Sequence, residues 1–220
     1  MEDAHWTLPS SGKPAPAVNE AYQIASEKLS QIDDILELCR KSGAKCNGAG
    51  ASRSITVEYL HQPYVVSLRD AEISTGENAP ALPTREKLLI LHYLLSAKGT
   101  PPSGKLITFQ ELPEGHVYYP TFMKRSVQPL VSNFGSEPRL LLQPAEKLGA
   151  KAVELGDASV TINAFPRVPV ITVLWKGDEE FEAGGSILFD AGISDYLPTE
   201  DITILCETIS WKLIKAKPIK

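Results

Sequence analysis

Nothing among the 220 residues is apolar for the roughly 20 consecutive positions that a membrane-spanning helix needs, so membrane insertion is not expected. The opening stretch, MEDAHWTLPSSGKPAPA, is polar and proline-rich and lacks the basic-then-apolar order of a secretory signal, and the expected compartment is the cytoplasm. Cysteine is scarce. Cys39, Cys46 and Cys206 form an odd set without a pairing pattern, which suits reduced thiols better than a disulfide framework. With His5, His61, His92 and His116 they form no C-x-x-C and no H-x-x-x-H spacing, so no metal site and no bound iron–sulfur cluster is expected. Positive charge is also short: 22 Lys and Arg stand against 27 Asp and Glu, a net −5, which argues against a nucleic-acid partner. No G-x-S-x-G elbow or cysteine-nucleophile signature appears, and no catalytic residue is assigned from a motif.

What the chain does have is apolar residues, 43% of the total, enough for one sizeable core. Residues 1–16, with Pro9, Gly12, Pro14 and Pro16, read as a disordered leader, and residues 17–220 as a single α+β domain. The organising element is the stretch from Thr84 to Lys98. At about 100° per residue, its Leu88, Leu89, Ile90, Leu91, Tyr93, Leu94 and Leu95 spread around most of the helical wheel, which marks a buried central helix. Thr84 is placed to cap it, and Gly99 followed by Pro101 and Pro102 ends it.

The remaining elements are expected to gather around that helix against a mainly antiparallel sheet. Val18, Tyr22, Ala25, Leu29, Ile32, Leu36 and Cys39 recur at steps of four and three, the seam of one amphipathic helix closed by Gly43, and the run from Gly43 to Ser54 reads as a flexible connection. Alternation at Ile55, Val57 and Tyr59, a turn at His61 to Pro63 and a return over Tyr64 to Leu68 predict a hairpin. Leu106 to Phe109 and Val117 to Tyr119 are strand candidates. Thr121 to Phe134 and Arg139 to Leu148 are helix candidates that Pro129 and Pro144 must kink or shorten. VPVITVLW, Val168 to Trp175, is apolar and β-branched throughout and reads as the central strand, with Ser186 to Phe189 as its neighbour. A last helix begins at a Thr199 cap, with Ile202, Leu205, Cys206, Ile209 and Leu213 as its core face.

The polar exceptions within these apolar elements are the candidates for function. Arg85, His92 and Ser96 fall in one narrow stripe of the central helix and suit an anionic or aromatic ligand, or an axial imidazole to a metal macrocycle; the alternative is a stripe that reaches water. Arg167, at the start of the central strand, serves either a buried carboxylate or a ligand, and Tyr118 is a candidate groove residue. GTPPSGK, Gly99 to Lys105, spells a P-loop pattern but follows a helix, leads into a strand and has Leu106 where Ser or Thr is needed. Asp190, Asp195, Glu200 and Asp201 cluster in sequence and suit a hard cation or, more cheaply, turn and capping duty. Ile204 and Trp211 fall on the outer line of the last helix, and are expected either at an interface with a second copy or partner, or under the leader or the middle helices of the same chain.

Two blocks carry a resemblance: LHYLLSAKGTPPSGKLITFQELPEGHVYYPTF, Leu91 to Phe122, and Phe165 to Asp201 with PRVPV, VLWKGDEEF, ILFD and YLPTED. They resemble an uncharacterised family of anaerobic bacteria and archaea, the domain of unknown function 3786. Some relatives carry an added iron–sulfur domain like that of corrinoid iron–sulfur proteins, so the resemblance implies a place near corrinoid or low-potential redox metabolism. Two readings of function follow. One is a non-catalytic module that binds a large tetrapyrrole-like cofactor, or a partner that carries one, in a groove lined by Tyr118, Tyr119 and Phe122. The other is an enzyme with an acid–base site around His92, Arg85 and Arg167, in a closed pocket.

Overall fold

The computed structural model describes residues 15–48, 53–75 and 82–218; fourteen of the sixteen residues assigned to a leader lie outside that set. Ala15 and Pro16 already belong to a helix, α1 (Ala15–Ser30), where a proline in the first turn costs no hydrogen bond. The single long helix expected up to Gly43 is two. The Asp34 carboxylate accepts the Glu37 amide at 2.9 Å and caps a separate α2 (Ile35–Ser42). The new start rotates the seam, so Ile35 and Leu38 are buried while Leu36 is 70% exposed. Gly43 ends α2 in the left-handed region, φ 71°, as a C-cap glycine does.

A four-stranded antiparallel sheet follows, β1 (Lys45–Asn47), β2 (Ser54–Tyr59), β3 (Gln62–Ser67) and β4 (Ile73–Ser74), in chain order. Part of the expected flexible connection is therefore strand, with Cys46 opposite Ile55. The hairpin turns on Leu60 and His61, both at positive φ, one register earlier than expected, and Pro63 lies in β3. The buried Leu60 donates its amide to Ala164 O at 3.0 Å, tying this sheet to the next.

Helix α3 (Thr84–Ser96) is the buried helix, with Leu88, Leu89, Ile90, Leu91, Tyr93 and Leu94 all in the core. Pro83 rather than Thr84 occupies its cap position and makes no side-chain cap bond. After it come β5 (Leu106–Thr108), α4 (Gly115–Phe122), a five-residue π-helical turn from Met123 to Val127, α5 (Gln128–Phe134) and the short α6 (Leu142–Glu146). The strand expected at Val117 to Tyr119 is thus helix: Glu114 turns the chain at φ 58°, and Phe122 stacks on Phe109 with ring centroids 3.9 Å apart, a contact that outweighs the β-preference of Val and Tyr. Strands β6 (Lys151–Ala152), β7 (Ala158–Phe165), β8 (Val168–Trp175) and β9 (Gly184–Asp190) join β5 in an antiparallel five-stranded sheet of order β5-β9-β8-β7-β6, with the expected VPVITVLW strand at its centre.

The last helix, α7 (Thr199–Lys215), differs from an amphipathic surface helix. Its expected core face is fully buried, and so are Asp201, Thr203, Glu207, Thr208 and Ser210 on other sides, because α4, the π turn, α5 and α6 all pack on it. Thr199 is its first residue rather than its cap, and its hydroxyl donates to Pro113 O at 2.7 Å. The fold is α+β, and one continuous buried cluster runs through both sheets and all the long helices. No helix among the described residues is long and apolar enough to cross a membrane.

Candidate functional site

Arg85 and His92 stand seven residues apart on α3, two turns along one face, with Leu88 between them. Each finds an acid on the antiparallel α7. Arg85 Nη2 donates to Glu207 Oε2 at 2.5 Å, with the side chains only 16% and 1% exposed. His92 Nδ1 lies 2.6 Å from Asp201 Oδ2, and Asp201 is 7% exposed. A third pair, Lys212 Nζ to Glu86 Oε2 at 3.1 Å, reaches back in the other direction. Three polar rungs therefore join two helices that carry the core.

Beside these rungs is a cavity of about 290 Å³, at the lower end of the range of about 300–1,000 Å³ that small-molecule sites occupy. Its walls come from four helices: Val18 and Ala21 of α1; Arg85, Leu88 and His92 of α3; Tyr118 and Thr121 of α4; and Glu200, Asp201, Thr203 and Ile204 of α7, with Pro198 and Arg125 completing it. Most of that surface is apolar.

Arg125 owes its place to a backbone irregularity with a readable cause. Pro129 has no N–H to offer the Arg125 carbonyl four residues earlier, and the ladder shifts to the wider spacing in which the Gln128 amide donates to Met123 O. The π turn that results carries Arg125 on the same line as Tyr118 and Thr121, three and seven residues along. Among the described residues the Arg125 side chain makes no hydrogen bond or ion pair, although it is half-buried.

The other expected candidates lie elsewhere. Ser96 is exposed and is not part of the cavity wall, because α3 is ending there. Arg167 sits in the turn between β7 and β8, where its amide donates to Tyr93 Oη at 3.2 Å, on a different face of α3 from Arg85 and His92. Tyr119 is half-buried, Phe122 is buried, and neither lines the cavity, so the three-aromatic groove is not formed. Ile204, expected on an outer surface, is a half-buried part of the cavity wall, since the helices that cover α7 cross that side; Trp211 is half-buried as well.

The two sequence patterns that suggested phosphate or cation binding resolve into internal contacts. The GTPPSGK loop wraps around a carboxylate of its own chain: Asp190 accepts the amides of Ser103 at 3.1 Å, Gly104 at 2.9 Å and Gly192 at 2.9 Å, and the Ser103 hydroxyl at 3.0 Å. Burial acts to raise the Asp190 pKa, but these donors outweigh it and the net shift is downward. Asp195 pairs with Lys98 at 2.8 Å and Thr100 at 2.6 Å, and Asp201 with His92, so the acids do not converge. Among the described residues no group of His, Cys, Asp and Glu is arranged to hold a metal ion.

Residues 34–211 match a family described as a domain of unknown function (DUF3786). The chain belongs to that family. No curated protein and no solved structure matches it. The match reaches from Asp34, the cap of α2, to Trp211, and therefore includes every residue of the cavity wall except Val18 and Ala21.

Sequence reasoning missed Arg125, Thr121 and the role of Glu207. The spacing Tyr118, Thr121, Arg125 was a signal for the first two, hidden because the segment around Tyr118 read as strand. Nothing local marks Glu207, since its partner is 122 residues away.

Proposed function

We propose that this chain is a non-catalytic binding module, cytoplasmic and without a nucleic-acid partner, whose ligand site is the cavity between α1, α3, α4 and α7. The observation that carries this is the combination of mostly apolar walls with a few placed polar groups, Arg85 and His92 among them held by their paired acids, which is what fixes the orientation of a bound ligand. At about 290 Å³ the cavity takes a small organic molecule or one side arm of a larger tetrapyrrole-like cofactor rather than a whole macrocycle. Tyr118 on its wall is exposed, as are its chain neighbour Val117 and, three residues along α1 from Ala21, Ile24, and a partner protein bearing such a cofactor in anaerobic metabolism would meet this surface. The test is to purify the protein without air from its own source and to record its absorbance and its native mass. A bound small molecule, or co-purification with a chromophore-bearing partner whose removal exposes the cavity to NMR shift changes, is the expected result. An empty protein whose cavity resonances respond to no member of a broad ligand screen refutes the reading.

A second reading has its own observation. Asp201 holds His92 through Nδ1, the arrangement by which a carboxylate orients an imidazole and leaves Nε2 to accept a proton. An acid–base enzyme would use His92 with Arg85 close by, and Arg167 would take no part because it is not on the cavity wall. His92→Gln separates the two readings: turnover of a substrate found in the screen would be abolished, whereas a module keeps binding.

A further inference from the structure

We infer that the ligand of this cavity is a small amphipathic organic anion, a carboxylate or phosphate monoester on an apolar body, and that Arg125 is the residue that anchors its charge. The inference rests on the binding-module reading and adds the chemical class.

The cavity is a mostly apolar space in which most of the charges are already paired. Arg85 is neutralised by Glu207, and the Asp201 carboxylate is engaged with His92, each pair at 2.6 Å or less. Glu200, the remaining acid on the wall, has an interaction of its own. That leaves the Arg125 guanidinium as a cation on the wall with no partner among the described residues. A guanidinium half-removed from water and unpaired is unfavourable, and nature places such groups where an oxyanion will meet them, since the planar fork matches a carboxylate or phosphate with two parallel hydrogen bonds. The backbone agrees. A π turn gives up regular helix hydrogen bonding, and single π turns are concentrated at functional sites; here it is the turn that carries Arg125. Tyr118 and Thr121, on the same line of the helix, add hydroxyls beside the guanidinium, while Val18, Leu88 and Ile204 supply the apolar surface for the body of the molecule.

The experiment compares hexanoate, hexyl phosphate and neutral hexanamide by titration calorimetry and ligand-observed NMR, on the full chain and on its Arg125→Met and Arg125→Lys variants. Both anions should bind more tightly than the amide. Arg125→Met should weaken the anions by roughly tenfold to a hundredfold, as loss of a charge-assisted hydrogen bond does, and leave the amide unchanged; Arg125→Lys should recover part of the loss. The relative affinity of hexanoate and hexyl phosphate then tells which oxyanion the site prefers. Because Arg125 supports no other described residue, the melting temperature of Arg125→Met should be no lower than that of the parent, so weakened binding is not a folding defect. If the amide binds as well as the anions and Arg125→Met changes neither, the anion inference is overturned and the binding module stands. If none of the probes binds and the protein from its own source is empty, both fall together.

Discussion

Replacing Arg85 with Met removes the guanidinium but keeps most of the side-chain stem, and it strands the Glu207 carboxylate in the interior between α3 and α7. Glu207 is 1% exposed, and its Oε1 already lacks a hydrogen-bond partner among the described residues, so no nearby donor can take over the freed Oε2. Breaking a buried pair by removing one partner costs about 3–5 kcal/mol, whereas replacing both partners with apolar groups of similar size is often neutral. For a chain of this length, each kcal/mol moves the melting temperature by about 2–4 °C, so the single variant should melt about 6–20 °C lower. The double variant Arg85→Met, Glu207→Met should regain most of that loss. Thermal melts followed by circular dichroism, with urea titrations to obtain the free energies, supply the cycle, and Lys98→Met is the control: the Lys98–Asp195 pair has a 67% exposed lysine and should matter by at most about 1 kcal/mol. A small loss in Arg85→Met equal to that in the double variant would show that water screens the rung and that it does not hold the two helices together.

Three further outcomes follow from the same contacts. Asp190→Asn should cost about 1–3 kcal/mol at pH 7, the price of leaving buried donors with a weaker acceptor. Because the folded pKa of Asp190 is lowered, its contribution is present above the unfolded value of about 4 and fades as pH falls through the lower folded value; urea titrations at pH 7 and pH 3 should therefore show the gap between parent and variant closing in acid. Alkylation of the folded protein, read by peptide mass spectrometry, should modify the half-buried Cys46 first, since burial, aided by the adjacent Cys46, pushes the Cys39 thiol up to about 12 and burial raises Cys206 as well; equal labelling of all three would contradict this packing. Gly43→Ala should lower stability by about 1–2 kcal/mol, because the residue sits at φ 71° and a Cβ there would come within 3.0 Å of Pro166 Cβ; an unchanged melting temperature would mean that the turn between β7 and β8 does not pack on α2 as described.

The local sequence by itself determined the elements whose pattern depends on near neighbours. An apolar wheel from Leu88 to Leu95 has almost no wet face wherever it is placed, VPVITVLW leaves no polar side to turn outward, and Gly43 marks a helix end because only glycine enters the left-handed region without strain. Those three features set the buried α3, the central β8 and the close of α2, and with them the α+β class. The stripe of Arg85 and His92 was legible for the same reason, since the two share a helix face by spacing alone. What the stripe faces was decided in three dimensions. Asp201 and Glu207 are about a hundred residues or more away, and no local pattern records which carboxylate a cation will meet. The folding of Gly115–Phe122 as helix rather than strand likewise depended on a stack between Phe122 and Phe109, and the placing of Arg125 on what Pro129 could not donate. Side-chain periodicity is a property of a few consecutive residues, whereas the pairing of buried charges is a property of two surfaces brought together, so the helices could be read from the chain and the cavity between them could not.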